Sequence, residues 1–135
     1  MSYRSQWSLP AILLLAAATA LAADPVTAGK YAGKWQGDSG AGGEFVLTIT
    51  GGRAGAWKAE VSFTMGDQTV PCNVTALSVE GAKVHVVYTF DLLGAKLEST
   101  IDGERSGAKL SGKYRTRNVA DSSAVDQGTW EASAT

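Results

Sequence analysis

From Glu44 onward the chain alternates apolar and polar residues with a period of two. Phe45, Leu47 and Ile49 share one face of the Glu44–Thr50 segment, and Thr48 and Thr50 share the other. Trp57, Ala59, Val61 and Phe63 then alternate with Lys58, Glu60 and Ser62. The pattern returns at Val84, Val86, Tyr88 and Phe90, at Leu97, Ser99 and Ile101, at Leu110, Gly112, Tyr114 and Thr116, and at Trp130, Ala132 and Ala134. Successive side chains of a strand point to opposite faces, so this alternation predicts half-buried strands. Helical spacing is absent from the whole region.

Glycine-marked breaks separate these segments: Gly51–Gly55, Gly66-Asp67, Gly81-Ala82, Gly94-Ala95 and Gly103–Gly107. Asn118–Gln127 forms the longest polar loop. Pro71 lies between two short strands within Gln68–Val79, and because proline donates no ladder hydrogen bond it marks an edge, a bulge or a corner. With Gly33–Asp38 included, the pattern predicts about eight strands joined mostly by short turns. Short turns make successive strands antiparallel neighbours, which gives an all-β meander. Such a meander closes naturally into a β-barrel; a two-sheet β-sandwich is the alternative.

The first residues read differently. Arg4, the apolar run Leu9–Ala18 and the small-x-small triplet Ala20-Leu21-Ala22 form a signal-peptide pattern, with cleavage expected after Ala22. The run falls short of the length of about 20 apolar residues that a membrane span needs. The expected organisation is therefore a leader over 1–22, an N-terminal linker over 23–32 and a β-barrel domain over 33–135. The short, alanine-rich leader points to a bacterial protein that is secreted or periplasmic, with no membrane span once the leader is removed.

Charge narrows the partners. The chain carries a formal charge of −1, and loss of Arg4 takes the mature domain to −2. Both signs are scattered, so there is no basic stripe suited to nucleic acid. Cys72 is the single cysteine, so no internal disulfide holds this exported domain together and its core must do so. Closure into a barrel also removes the exposed edges that such a sheet would otherwise have to protect.

A short echo runs through the chain: Gly33-Lys34-Trp35, Gly112-Lys113-Tyr114 and Gly128-Thr129-Trp130 each read Gly-x-aromatic. An inward glycine beside an inward ring suits a tapering barrel. With the meander of short strands, these segments resemble the calycin superfamily of lipocalins and avidins. The segments Ala32–Gly37, Leu110–Tyr114 and Gly128–Trp130 more closely resemble small exported bacterial β-barrel domains without an assigned function. The resemblance implies a barrel fold and a habit of binding inside it. The chain departs from lipocalins in its shorter length and missing disulfide, and no segment matches the polar ligand contacts of avidins.

Candidate chemistry is sparse. His85, the only histidine, falls on the outward face of its strand, and no second histidine or cysteine pair accompanies it to hold zinc. Cys72 has no basic residue or histidine beside it in sequence to activate a thiol. The strand carboxylates Glu60, Glu98 and Glu131 face outward and Asp67, Asp91, Asp102 and Glu104 fall at turns, so no buried acid/base pair is expected. Ser122 and Ser123 lack a nucleophile elbow. The glycine clusters lack the lysine and helix of a phosphate cradle. No catalytic residue, metal site or cofactor follows from these residues.

The inward aromatics remain: Trp35, Trp57, Tyr88, Tyr114 and Trp130. They either fill the barrel as core or line a small ligand pocket, with Gly37, Ser99 and Gly112 leaving room. The first functional expectation is a non-enzymatic barrel that binds a small apolar or aromatic ligand. The alternative is a protein-interaction or scaffold domain that uses an exposed patch near Met65, Val87 and Leu92-Leu93. A barrel enzyme of the isomerase or cyclase kind ranks last; a pocket carboxylate or His85 beside the tyrosines would favour it.

Overall fold

The structure is a computed structural model that describes residues 24–51 and 56–135. The expected leader and most of the Gly51–Gly55 break lie outside these residues. The strands are β1 (Gly29–Gly37), β2 (Gly42–Thr50), β3 (Lys58–Met65), β4 (Gln68–Pro71), β5 (Asn73–Glu80), β6 (Lys83–Leu92), β7 (Ala95–Ser106), β8 (Lys109–Asn118) and β9 (Ala124–Ala134). They form one antiparallel sheet in the order β4-β3-β2-β1-β9-β8-β7-β6-β5, curled into a half-barrel. The fold is the all-β meander expected, with nine strands. The ladder joins them as a single sheet rather than as the two sheets of a sandwich. Among the described residues no helix is long and apolar enough to cross a membrane.

The two edge strands, β4 and β5, are consecutive in the chain and separated only by Cys72. One residue reaches only about 7 Å between its neighbours, so the curl must bring the edges of the sheet together at this corner. Pro71 ends β4 there, as its missing N–H requires. No ladder joins β4 to β5; the chain at Cys72 and side-chain packing such as Phe63 on Phe90 bridge the gap between the edges.

Four hairpins turn on two residues, fixed by the pairs Met65–Gln68, Glu80–Lys83, Leu92–Ala95 and Ser106–Lys109. Primed turns of this kind need a positive φ at their first central residue. Gly66, Gly81 and Gly107 supply it at 62°, 57° and 62°, whereas in the β6–β7 turn it falls on Leu93, at 52°. The glycine-marked break expected at Gly103–Gly107 is shorter than its composition suggested. β7 runs through Gly103 to Ser106 and turns only at Gly107-Ala108. Asp102 and Glu104 therefore belong to a strand, not to a turn.

Alternation places Phe45, Leu47, Ile49, Val84, Val86, Ile101 and Leu110 inside, all at most 2 % exposed. The ladder also begins ahead of the expected Gly33 boundary. Tyr31 is buried in the core, and its hydroxyl donates to the Thr27 carbonyl at 2.7 Å. Val26 is buried as well; its N–H bonds the Gly81 carbonyl, and Arg105 donates to the Pro25 carbonyl from across the sheet. This segment covers the lower end of the half-barrel, where the β5–β6 and β7–β8 turns lie. The upper end carries the β1–β2, β3–β4, β6–β7 and β8–β9 connections.

Candidate functional site

Four of the five aromatic residues expected at a site converge. Trp35, Tyr88, Tyr114 and Trp130 line one interior cavity of ≈ 70 Å³ beneath the upper end, together with Phe63, Phe90, Met65, Leu92, Val125 and Asp126. Trp57 does not line it. It sits just before β3, whose first residues pair with the end of β2 at the lower end, and packs half-buried against the core there.

Register explains the convergence. Trp35 and Trp130 are direct cross-strand partners because β1 pairs with β9, and Tyr88, Ser99 and Thr116 lie in one row across β6, β7 and β8. Five rings then run around the wall as a chain of contacts: Tyr114 to Trp35 at 6.0 Å, Trp35 to Phe63 at 5.8 Å, Phe63 to Phe90 at 4.9 Å, and Phe90 to Tyr88 at 6.1 Å. The first three contacts are edge-to-face, the arrangement favoured by the ring quadrupoles.

Most polar tips in this wall are satisfied. Trp35 Nε1 donates to the Thr64 carbonyl at 3.0 Å, and the Ser99 and Thr116 hydroxyls bond each other. Tyr114 donates its hydroxyl to Asp126 Oδ2 at 2.9 Å. Burial first, then the bond to Asp126, pushes the Tyr114 phenol up, and burial does the same at Tyr88, so both stay neutral. The exception is Trp130: its indole N–H is buried with no hydrogen-bond partner. An orphaned donor of this kind costs about 1–3 kcal/mol until something accepts from it.

Asp126 is the residue that sequence reasoning missed. No carboxylate was expected inside, because Asp126 lies in what reads as a polar loop. β9 starts at Ala124, so the alternation of Ala132, Trp130 and Gly128 runs on to Asp126 and sets it on the inner face opposite Thr116, just before the register shifts between Thr116 and Arg117. Gly37 makes room for the pair. A Cβ there would stand 2.1 Å from Asp126 Oδ2 and 2.7 Å from the Tyr114 hydroxyl.

The Gly-x-aromatic echo has a different basis from the one expected. A Cβ at Gly33, Gly112 or Gly128 would strike a main-chain oxygen of the adjacent strand, at 2.0, 1.7 and 2.0 Å. These glycines permit close strand approach in a tightly curled sheet. Room for a ring comes from Gly103, where a Cβ would lie 2.4 Å from Trp130 Cζ2.

The outer face of β6–β9 holds a second, wider depression of ≈ 990 Å³, lined by side chains of both charges. His85 lies there, half-exposed and facing outward as expected, with Nδ1 2.6 Å from Asp102 Oδ1. Ser78 stands opposite His85 in the ladder, so Ser, His and Asp share one row. No hydrogen bond joins Ser78 to His85 among the described residues, and a serine without its base is not an activated nucleophile. An exposed pair of this kind contributes about 0–1 kcal/mol. The apolar interior, where the rings converge, is the better site. Cys72 is half-buried at the β4–β5 corner, and burial pushes its thiol up to about 12. Among the described residues no group of three or more metal-ligating side chains is brought together.

Comparison with protein-family models, with curated proteins and with solved structures finds no significant match to this chain.

Proposed function

We propose that this chain is a non-enzymatic binding domain that takes a small apolar group into the aromatic cavity at the upper end of its curled sheet. The observation that carries the reading is the convergence of Trp35, Tyr88, Tyr114 and Trp130 on one cavity. Ligand sites are mostly apolar concavities with a few placed polar groups, and this one fits that description. A volume of ≈ 70 Å³ favours an apolar group of a few heavy atoms over a whole aromatic ring. The resemblance to calycins agrees with binding inside a barrel. We also propose export by the 1–22 leader to the periplasm or exterior of a bacterium.

An enzyme of the isomerase kind is less well supported, even though Asp126 does stand beside Tyr114. The phenol hydroxyl is already engaged in its hydrogen bond to Asp126, so it is not presented to a substrate as an acid. A protein-interaction role is supported by Leu93, which is 99 % exposed, and by exposed Val119 and Val125 at the same end. Its test is association that depends on Leu93.

Trp35 and Trp130 both line the cavity, so tryptophan fluorescence tests the main reading. Saturable change with small apolar solutes, lost in a folded Tyr114→Ala variant, supports it. A flat response across the series overturns it in favour of a filled core.

A further inference from the structure

The upper end of the molecule is acidic as well as apolar. Asp38, Asp67, Asp91, Asp121 and Asp126 lie in its loops and strand ends. The basic groups nearby are engaged or turned away: Lys96 stands opposite Asp91 in the ladder, Arg117 is held by Glu98 at 2.9 Å, and Arg115 lines the outer depression. The lower end is mixed: Lys83 stands opposite Glu80 and Glu104 in the ladder, and Lys109 is paired with Glu131. Such an acidic rim draws cations to the cavity and repels anions from it.

Inside the rim, a carboxylate and several rings meet at one place. Asp126 lines the cavity itself, with no cation paired to it among the described residues. Gln127 donates to Asp38 at 3.3 Å, which holds this second carboxylate on the same rim. Trp35, Tyr88, Tyr114, Phe63 and Phe90 form the wall. Ring faces attract organic cations, most strongly where water is excluded. A neutral hydrocarbon would gain nothing from Asp126 and would leave a carboxylate beside it partly desolvated.

Building on the reading of the cavity as a ligand site, we infer that its ligand is a small methylated or quaternary ammonium group. The rings embrace the methyls, and Asp126 with Asp38 balances the charge. The ≈ 70 Å³ of space suits a head group of this size, with the rest of the ligand outside.

The test compares choline with 3,3-dimethylbutan-1-ol, which has the same shape and no charge, by calorimetry on the mature protein. Choline is expected to bind about tenfold more tightly than the alcohol, and added salt is expected to weaken choline alone. Asp126→Asn should bring the two affinities together, chiefly by weakening choline. Asp38→Asn, at an exposed position, gives the same comparison should Asp126→Asn fail to fold. Equal binding, or a preference for the alcohol, overturns the ammonium inference and leaves the cavity as an apolar site. Binding of neither compound overturns both.

Discussion

Trp35 on the first strand and Trp130 on the last stand directly opposite each other in the ladder, and glycines flank them in the same row. Gly43 pairs with Trp35, Gly112 pairs with Trp130, and Gly103 follows Gly112 one strand further on. Two indoles side by side are accommodated because their neighbours have no side chains. The row joins the chain's beginning to its end and forms the base of the candidate site.

Gly103→Ala tests this arrangement. The new Cβ would overlap the Trp130 ring edge, and overpacking of a tight interior costs about 1–3 kcal/mol. The urea midpoint should fall accordingly. Trp130→Phe removes that ring edge, so the cost of Gly103→Ala should shrink in the double variant. An unchanged cost would mean that the glycine serves the backbone instead.

Alkaline pH should expose the two buried phenols. Tyr88 and Tyr114 are raised in the folded state above the unfolded value of about 10. Above that value the unfolded chain releases protons that the folded chain keeps, so unfolding gains free energy as pH rises. Their contribution is complete below about pH 10 and is lost progressively above it. Phenolate absorbance in the native protein should lag behind that of the unfolded chain. Tyr114→Phe should flatten the alkaline fall in the urea midpoint, and a fall equally steep in the variant would count against Tyr114 as a source.

Much of this was legible in the alternation, and the exceptions have local causes. Period two alone placed Phe45, Leu47, Val86 and Ile101 inside and His85 outside. The His85–Asp102 pair was hidden only because Gly103 read as the start of a turn. Once the β6–β7 turn is known to pair Leu92 with Ala95, counting along the hairpin sets His85 against Asp102. Asp126 was hidden because Asn118–Gln127 read as a loop; carried back from Trp130 and Gly128, the same alternation sets it inside. The absence of Trp57 from the cavity was not recoverable in this way. Alternation tells which face a residue occupies, but not how far along the half-barrel it lies.

Cys72 should behave as an inert thiol. Burial raises it to about 12 from an ordinary value of 9.0, and the thiolate is the reactive form. At pH 8 the native protein should react with a disulfide reagent far more slowly than the urea-unfolded chain. Fast native labelling would show that the β4–β5 corner opens readily, as its missing ladder between edges allows.

Leu93 combines two locally unfavourable features. It takes a left-handed backbone conformation at 52° while its side chain is 99 % exposed, at the position where the three comparable hairpins use glycine. The left-handed region costs an ordinary residue about 1–2 kcal/mol, and Asn-Gly is the preferred pair for a turn with both central φ angles positive. Leu93→Asn should therefore stabilise the domain by about 1 kcal/mol, read as a higher urea midpoint. Leu93→Ala removes the exposed side chain but keeps the strained backbone, so its midpoint should stay near that of the parent. If both variants behave alike, strain is not what Leu93 contributes. Natural chains tolerate such local conflicts chiefly where function requires them. Loss of a binding partner in both variants, with the ammonium site intact, would therefore assign Leu93 to a second contact on the same rim.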